Sequence, residues 1–310
     1  MTDTETERRA AGCLLGLACG DALGRPVEFR TQSSVAAEHG RVTEMLGDGT
    51  HGQPAGTVTD DTELALCIAR SLAENGGFDG ADVARRFVDW LDGDPFDVGG
   101  MTADALGRIR DGADWRDAGD AVWADRPEGQ NAGNGSLMRC APYAVAFRSD
   151  RRRLAEAAAA SSAITHADPR CVESCVALTA VVADLLSGAA PAAALGTALS
   201  LAADRDAPTE IRDALAAADD PAAVSLDNSG YVVHTLETAL HDGLTADSAE
   251  DAIARAASRG GDADTVAAVA GAVAGARFGA DALPPRWLNE LGVEAELRSL
   301  AARLCELDAD

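Results

Sequence analysis

The chain has 310 residues, of which 51 are acidic and 26 are basic, and its formal net charge is −25 at pH 7. A surface this negative excludes nonspecific attraction to nucleic acid phosphates. It favours a heavily hydrated surface for work at high salt, as in a halophile, where charge repulsion is screened; an acidic surface that recruits a basic partner is the alternative. None of the basic residues is lysine, which excludes a Schiff base, a P-loop lysine and a Ser-x-x-Lys nucleophile.

The apolar residues are mostly Ala, Val and Leu, and no run of regularly spaced alternating strands occurs. An all-α fold is therefore predicted, in a single domain over residues 1–310. Seven scattered cysteines, an odd number, indicate buried thiols in a reducing cytoplasm rather than a disulfide framework. The N-terminus is polar and no apolar run approaches the ~20 residues of a membrane span, so a cytoplasmic protein without a membrane partner is expected.

Glycines recur at every fourth position near both ends of the chain: Gly12, Gly16, Gly20 and Gly24, then Gly271, Gly275 and Gly279. Inside a helix each glycine costs roughly 0.5–1 kcal/mol relative to alanine, so such a stripe indicates close approach of another backbone. Asp21, Arg25 and Arg277 interrupt these segments and exclude membrane helices. The two helices are expected to pack tightly in the core, and packing on each other would explain both stripes.

Two acidic clusters lie about 200 residues apart, Thr59-Asp60-Asp61-Thr62 and Asp262-Ala263-Asp264-Thr265, and each opens a stretch with helical spacing. One interpretation is helix capping, with Thr59 or Asp60 accepting free backbone N–H groups. The other is a shared metal site, because each cluster holds more carboxylates than a cap requires and adjacent carboxylates repel unless a cation joins them. Hard oxygen donors suit Mg²⁺ or Mn²⁺ rather than Zn²⁺, and the metal site is favoured.

Further helices are predicted, in chain order, for TELALCIARSLAEN, ADVARRFVDWL, SLMRCAPYAVAF, the run from Arg151 to Leu186, YVVHTLETAL, AEDAIARAAS and VEAELRSLAARLCEL. Loops are predicted for DGDPFDVGG, DRPEGQNAGNG and AADDPAAVSLDNSG. The glycine-rich segment before Ser136 could surround an anion with backbone N–H groups at a helix start. It lacks the Rossmann spacing and the P-loop lysine, so a simple turn is the alternative.

Several single residues are open to more than one interpretation. His166 in THADPR is a turn residue beside proline or a functional group, Tyr231 has a default role in packing, and Asp97 in PFDVGGMT could cap a turn. Cys171 and Cys175 lie one helical turn apart near His166. A soft-metal site is conceivable there, but two thiols on a core face explain them better.

Taken together, these segments resemble the ADP-ribosylglycohydrolase family. Seven motifs in the family's order carry the resemblance over roughly residues 10–280: GLACGDALGRPVEF, TVTDDTELAL, PFDVGGMT, NAGNGSLMRCAP, THADPR, SGYVVHTLETAL and GGDADTVAAVAGAVAGARFG. The resemblance implies an all-α orthogonal helical bundle with a central binuclear metal cleft, followed here by a C-terminal helix over residues 292–308. The chain departs from the family at His241-Asp242-Gly243, where many members have a tryptophan-containing segment, and this bears on substrate preference at that rim.

The resemblance also implies roles for matching positions. Two Mg²⁺ or Mn²⁺ ions would be held by six residues: Thr59, Asp60, Asp61, Asp262, Asp264 and Thr265. Proton transfer would fall to Asp60, Asp97 or Glu28, and Glu28 could instead be a ligand in the empty state. The diphosphate would lie on Gly133, Asn134, Gly135 and Ser136, while His166 and Tyr231 would border the adenosine or the distal ribose.

The activity implied is metal-dependent hydrolysis of the glycosidic bond that links ADP-ribose to an acceptor, either an arginine nitrogen or another ADP-ribosyl conjugate. Carboxylates would stabilise the charge that develops at the anomeric carbon, and the metals would orient a water. The expected partner is an ADP-ribosylated protein or small-molecule conjugate, and a monomer is the default. The alternatives are a non-catalytic ADP-ribose-binding or structural member, or hydrolysis of another N-glycoside. The complete ligand set favours catalysis.

Overall fold

The computed structural model describes residues 3–218 and 226–308, and these stretches contain sixteen α-helices and no β-strand. The helices run as follows: α1 Asp3–Gly24, α2 Gln32–His39, α3 Asp60–Asn75, α4 Gly80–Leu91, α5 Gly100–Arg110, α6 Trp115–Asp125, α7 Ala141–Ala146, α8 Arg151–Ala163, α9 Pro169–Leu186, α10 Pro191–Asp204, α11 Thr209–Ala217, α12 Val232–Thr245, α13 Ala249–Ala257, α14 Ala263–Phe278, α15 Pro285–Leu288 and α16 Glu294–Leu307. The predicted all-α class is confirmed.

Helices α1 and α14 form the centre of the molecule and lie antiparallel, backbone against backbone. The facing pairs are Gly12 with Gly275, Gly16 with Gly271, Gly20 with Ala267, and Gly24 with Ala263. A Cβ placed on Gly16 would lie 2.1 Å from the carbonyl oxygen of Gly271, so neither position has room for a side chain. The prediction that the two glycine stripes mark tightly packed helices is confirmed, and the two helices pack on each other.

One glycine of the predicted stripe lies just beyond the end of the helix. Gly279 follows the last residue of α14 and has a φ of +84°, a backbone conformation that glycine adopts readily. Its N–H donates to Gly275 O, which ends the helix. Gly279 is therefore a helix terminator, and its backbone also lies against Gly12, since a Cβ on Gly12 would lie 2.7 Å from the Gly279 carbonyl carbon.

The other helices cover this central pair. Residues 263–276 of α14 are buried on every side, as expected for a helix whose side chains are nearly all apolar. Helices α9, α12 and α13 pack against α14, while α16 packs against α1, α3 and α7. The seven cysteines are buried and free, which confirms the prediction of buried thiols. Within residues 3–218 and 226–308, no helix combines the length and the apolar character that a bilayer crossing requires.

Some predicted boundaries differ from the structure. Only Ala141–Ala146 of SLMRCAPYAVAF is helical, because Leu137 N and Met138 N both donate to Asn134 O and form a tight turn ahead of the helix. The predicted run from Arg151 to Leu186 is two helices, α8 and α9, separated at the THADPR motif. The C-terminal helix spans Glu294–Leu307 within the predicted 292–308. Residues 219–225 of the predicted loop AADDPAAVSLDNSG lie outside the described residues.

Candidate active site

Three helix ends meet at the two acidic clusters. Because α1 and α14 are antiparallel, Glu28, just beyond the end of α1, lies beside Asp262 and Asp264 at the start of α14. The carboxylate oxygens of these three residues lie within 4.8 Å of one another. The start of α3 joins them, since Thr265 Oγ1 donates to Asp61 Oδ2 at 3.4 Å. The fold thus brings together two clusters that are about 200 residues apart in sequence.

Asp21 on α1 anchors the start of α3. Its buried carboxylate accepts hydrogen bonds from the backbone N–H groups of Thr59 (3.0 Å) and Thr62 (3.1 Å) and from both hydroxyls. Burial raises the pKa of Asp21 to about 6, although these hydrogen bonds act in the opposite direction. A negative charge at this position also complements the helix dipole of α3. Asp21 therefore fixes the helix from which Asp60 and Asp61 project.

Helix capping does not account for the remaining carboxylates. Thr59 is the N-cap of α3, and its Oγ1 accepts the Asp61 N–H at 3.4 Å. Asp262 occupies the N-cap position of α14 but makes no capping hydrogen bond; its Oδ2 accepts from Asn134 Nδ2 at 2.6 Å. Asp60 Oδ2 accepts from Gly99 N at 3.2 Å. Asp60 and Asp262 are thus bound to neighbouring segments, at Gly99 and Asn134, rather than to their own helix ends.

Burial raises the pKa of the carboxyls at this centre, and repulsion by neighbouring carboxylates raises it further for Glu28, Asp60 and Asp264. Burial, followed by the charge of Asp97, raises the pKa of Glu28 to about 9 and that of Asp60 well above its usual range. Burial, followed by the charge of Asp61, does the same for the pKa of Asp264. A group of carboxyls that resists ionisation in this way is stabilised by a bound cation.

The residues present fit a hard divalent cation. Asp61 Oδ1 is buried and has no hydrogen-bond partner, so the lone pairs of this oxygen are available to a ligand. Two groups of possible ligands share Glu28: one with Asp262 and Asp264, the other with His51 and Asp97. Apart from the imidazole at the edge, all the donors are oxygens, and oxygen donors are the ligands that Mg²⁺ and Mn²⁺ prefer.

A cavity of about 710 Å³ opens from the acidic centre, within the size range of small-molecule sites. Ten of the predicted site residues line it: Glu28, Asp60, Asp97, Gly133, Asn134, Gly135, His166, Asp262, Asp264 and Thr265. Four do not: Thr59, Asp61, Ser136 and Tyr231. The structure thus gathers most of the predicted residues on one cavity wall.

The four remaining residues lie behind that wall or to its side. Thr59 and Asp61 are buried beneath Asp60, and Thr59 Oγ1 donates to Asp21 at 3.0 Å. Ser136 is buried and accepts a hydrogen bond from Ser162 Oγ at 2.8 Å. Tyr231 is the N-cap residue of α12 and pairs with Gly133 through its backbone. Its ring packs against His234 at 5.0 Å and beneath the Arg170 guanidinium at 5.7 Å, which turns it away from the cavity.

Contacts between neighbouring segments close the cavity wall into a ring. One arc consists of backbone hydrogen bonds: Phe29 N to Gly261 O (2.7 Å), Asp262 N to Asn228 O (3.1 Å) and Asn134 N to Gly230 O (3.1 Å). The other arc begins where Gly135 lies beside His166 and Thr102. It continues through the hydrogen bond from Gly99 N to Asp60 Oδ2 (3.2 Å) and the approach of Asp97 Oδ2 to His51 Nε2 (4.0 Å). It ends where His51 Nε2 lies 2.6 Å from Glu28 Oε2. In this order His51 joins the Glu28 and Asp97 segments, and Asn134 and Gly135 join the two arcs at the glycine loop.

The proton position on His166 is set by a buried hydrogen-bond chain. Arg139 Nη2 donates to Thr165 Oγ1 at 2.7 Å, and the same oxygen lies 2.7 Å from His166 Nδ1. Arg139 occupies one lone pair of Thr165 Oγ1, and the contacts of that hydroxyl offer no acceptor for its own proton other than Nδ1. Burial lowers the pKa of His166 to about 3, which leaves the ring neutral. The proton of the ring therefore lies on Nε2, the nitrogen beside Gly133 and Gly135.

Sequence reasoning missed the roles of three residues. Asp21 had a visible signal, since a carboxylate within a glycine stripe falls on a buried helix face. Arg25 is buried and donates to five backbone carbonyls of the segment 46–57, which holds that segment over the end of α1. His51 is brought onto Glu28 by this segment. Nothing in GTHGQP distinguishes it from an ordinary loop histidine.

The all-helical fold thus sets an acidic centre at the base of a cavity. The family model for ADP-ribosylglycohydrolase matches residues 2–310. The chain belongs to the ADP-ribosylglycohydrolase family, whose named members act on ADP-ribosyl linkages. The expectation of an enzyme of this class is confirmed.

Curated relatives match over nearly the whole chain. The ADP-ribosyl-[dinitrogen reductase] glycohydrolase of Rhodospirillum rubrum is 35% identical over 298 residues, covering 96% of this chain and 94% of the relative. The ADP-ribosylarginine hydrolase Tri1 of Pseudomonas putida is 34% identical over 312 residues, covering 98% and 80%. The ADP-ribosylhydrolase ARH3 of Gallus gallus is more distant, at 25% identity.

A solved structure shares the fold. An ADP-ribosylglycohydrolase-related protein complex superposes with a TM-score of 0.83 and 33% sequence identity, covering 98% of this chain and 99% of the other. The helical arrangement around the acidic centre is therefore the arrangement of this family.

Proposed function

We propose that the chain hydrolyses the glycosidic bond between ADP-ribose and an acceptor, with Mg²⁺ or Mn²⁺ as the cofactor. The observation that carries the proposal is the meeting of three helix ends at one acidic centre, open to a cavity of about 710 Å³. Buried carboxyls that repel one another lower the stability of the fold. A bound cation that in turn holds a sugar substrate accounts for their presence.

The metal-holding residues would be the six assigned by family resemblance: Thr59, Asp60, Asp61, Asp262, Asp264 and Thr265. The unpartnered Asp61 Oδ1 supports this set, as does the placement of Asp262 and Asp264 beside Glu28. When bound, two such cations supply Lewis-acid polarisation and water activation. Asp21 holds the α3 ligands in place, and Asn134 orients Asp262.

Glu28, Asp60 and Asp97 are proposed to act at the bond that breaks. Glu28 is proposed to pass a proton to the leaving acceptor, because burial, followed by the charge of Asp97, raises the pKa of its carboxyl. Asp60 and Asp97 line the cavity beside it, where their charge would stabilise the oxocarbenium-like transition state. His51 Nε2, at 2.6 Å from Glu28 Oε2, holds that carboxyl in position.

The glycine loop and His166 are proposed to bind the diphosphate. Gly133 and Gly135 bring the chain close to His166: a Cβ on Gly135 would lie 2.9 Å from the imidazole Cε1. The Nε2–H of His166 is a neutral donor that can bind a phosphate oxygen. Ser136 and Tyr231, which do not line the cavity, would support this arc from behind rather than contact the nucleotide.

The acceptor is proposed to be arginine. The Pseudomonas putida relative is named an ADP-ribosylarginine hydrolase, and the Rhodospirillum rubrum relative is named for ADP-ribosylated dinitrogen reductase.

We further propose that residues 1–310 form one monomeric, cytoplasmic domain with a C-terminal helix at its surface. Adaptation to high salt is proposed from the net charge of −25. A melting temperature that does not rise with KCl would contradict that adaptation.

The decisive experiment measures release of ADP-ribose from arginine-linked, serine-linked and small-molecule conjugates by chromatography, with Mg²⁺, with Mn²⁺ and with EDTA. Release that requires a divalent cation supports the proposal. Undiminished release in EDTA would contradict the metal dependence. Calorimetric binding of ADP-ribose without release from any conjugate would instead indicate a binding module.

A further inference from the structure

Two exposed aromatic side chains adjoin the cavity: Phe29 lines it, and Phe96 precedes the lining residue Asp97. In the parts of the chain that the structure describes, the exposed large hydrophobic residues are Phe29, at 71%, and Phe96, at 41%. Both lie beside His51, with ring centroids 6.3 Å and 5.6 Å from the imidazole. Since the other large apolar side chains of the described residues are at least partly covered, two exposed rings beside one imidazole indicate a contact surface.

The backbone at Phe29 is held in an unfavourable conformation. Its φ is +61°, in the left-handed region that bulky residues rarely adopt. Two hydrogen bonds to one residue maintain it: Phe29 N donates to Gly261 O, and Gly261 N donates to Arg30 O, each at 2.7 Å. Gly261 must itself be glycine, because a Cβ there would lie 2.0 Å from Asn228 O. The outward direction of the ring is therefore imposed by the loop before Asp262.

Each ring is next in sequence to a carboxyl residue of the cavity. Phe29 follows Glu28, and Phe96 precedes Asp97. Both carboxyl residues line the cavity and lie against His51, whereas Gly133 and Gly135 lie against His166. If ADP-ribose lies on the glycine side, as the proposed function has it, the bond that breaks lies at the carboxyls. The acceptor then leaves the cavity past the two rings.

The chemistry of this exit favours a planar cation. Aromatic faces attract a guanidinium, which can also stack flat on a ring. Asp97 adds carboxylate charge at the same place, and its side chain is 23% exposed. A neutral O-linked acceptor would gain little from either feature.

We propose that Phe29 and Phe96 form the acceptor subsite and hold the guanidinium side chain of an ADP-ribosylated arginine. The proposal rests on the hydrolysis proposed above and adds a reason for selectivity among linkages. His51 supports both rings from one side, and the Gly261 hydrogen bonds fix Phe29 from the other.

The test compares kcat/KM for arginine-linked and serine-linked ADP-ribose in the wild type and in Phe29→Leu, Phe96→Leu and the double variant. Leucine keeps the bulk and removes the aromatic face. The ratio of arginine to serine activity is expected to fall about three- to fivefold per ring, and on the order of tenfold for both. Phe29→Tyr should keep the wild-type ratio. Phe278→Leu, at the far end of α14, is the matched control and should leave both activities unchanged.

The outcomes separate the two proposals. A wild type that releases ADP-ribose, with a double variant whose arginine-to-serine ratio stays within twofold of the wild type, overturns the acceptor subsite and leaves the hydrolysis standing. A wild type that cleaves no conjugate overturns both. Competitive inhibition by agmatine, a guanidinium compound, gives a second measurement, and its inhibition constant should rise by the same factors. Equal inhibition of the wild type and the double variant would contradict the subsite.

Discussion

Asp21 and Thr59 are joined by hydrogen bonds from both the backbone N–H and the hydroxyl of the threonine, each at 3.0 Å, in a fully buried contact between α1 and α3. The contact makes the last turns of α1 part of the acidic centre, although Asp21 does not line the cavity. Two helices that supply different sides of the site are therefore positioned by one carboxylate.

We expect Asp21→Asn to destabilise the protein by about 2–4 kcal/mol, because a buried amide cannot accept all the donors that the carboxylate satisfies. Urea unfolding followed by circular dichroism measures the change. Asp79→Asn is the control: Asp79 caps α4 at an exposed position through Ala81 N and Asp82 N, and asparagine is an equally good cap there. Equally small losses in the free energy of unfolding of the two variants would show that Asp21 is an ordinary cap.

The backbone contact between α1 and α14 gives a second prediction. Gly16→Ala should destabilise the protein by several kcal/mol, since the added methyl group would lie 2.1 Å from Gly271 O and the helices would have to separate. Gly107→Ala in α5 has open space around it and should be neutral or stabilising by up to about 1 kcal/mol. The comparison uses melting temperatures from calorimetry. A Gly16→Ala variant as stable as Gly107→Ala would contradict the close approach.

The sequence predicted this helix pair well because the signal is local. Glycines at every fourth position have one physical explanation inside a buried helix, and the facing positions follow from the antiparallel register. Ten cavity-lining residues were also predictable, since they stand in short motifs. The orientation of Tyr231 was not predictable, because its ring is turned aside by contacts with Arg170 and His234. His51 was missed because its position depends on five distant carbonyls bound by Arg25.

The buried imidazole of His166 gives a pH prediction. Its pKa is lowered to about 3 in the folded protein, against about 6.5 in an unfolded chain. Between these values the unfolded state takes up a proton that the folded state does not, so the contribution of His166 to stability falls as the pH falls. The slope is up to about 1.4 kcal/mol per pH unit. His166→Gln should remove this slope. The difference between the free energies of unfolding of the two proteins, measured from about pH 7 to about pH 4, isolates the effect. Parallel profiles would contradict it.

Asp61 gives a prediction in which removal of a ligand stabilises the metal-free protein. Burial, followed by the charge of Asp21, raises the pKa of Asp61, so its charge is unfavourable when no cation is bound. Asp61→Asn should raise the metal-free stability by on the order of 1 kcal/mol and abolish the increase in melting temperature with Mn²⁺. Calorimetry with and without Mn²⁺ measures both effects, with Asp89→Asn on the exposed face of α4 as the control. A full Mn²⁺ response in Asp61→Asn would remove Asp61 from the ligand set.

The separation of α1 and α14 is limited by main-chain atoms, with no side chain between them along four facing pairs. Substitution elsewhere has no means of adjusting that spacing, so the distance between Glu28 and the α14 carboxylates is independent of what the outer helices carry. Acidic residues can thus replace lysines on the solvent-facing surface without altering the dimensions of the cleft. This helix pair allows one catalytic geometry to persist beneath surfaces of very different charge.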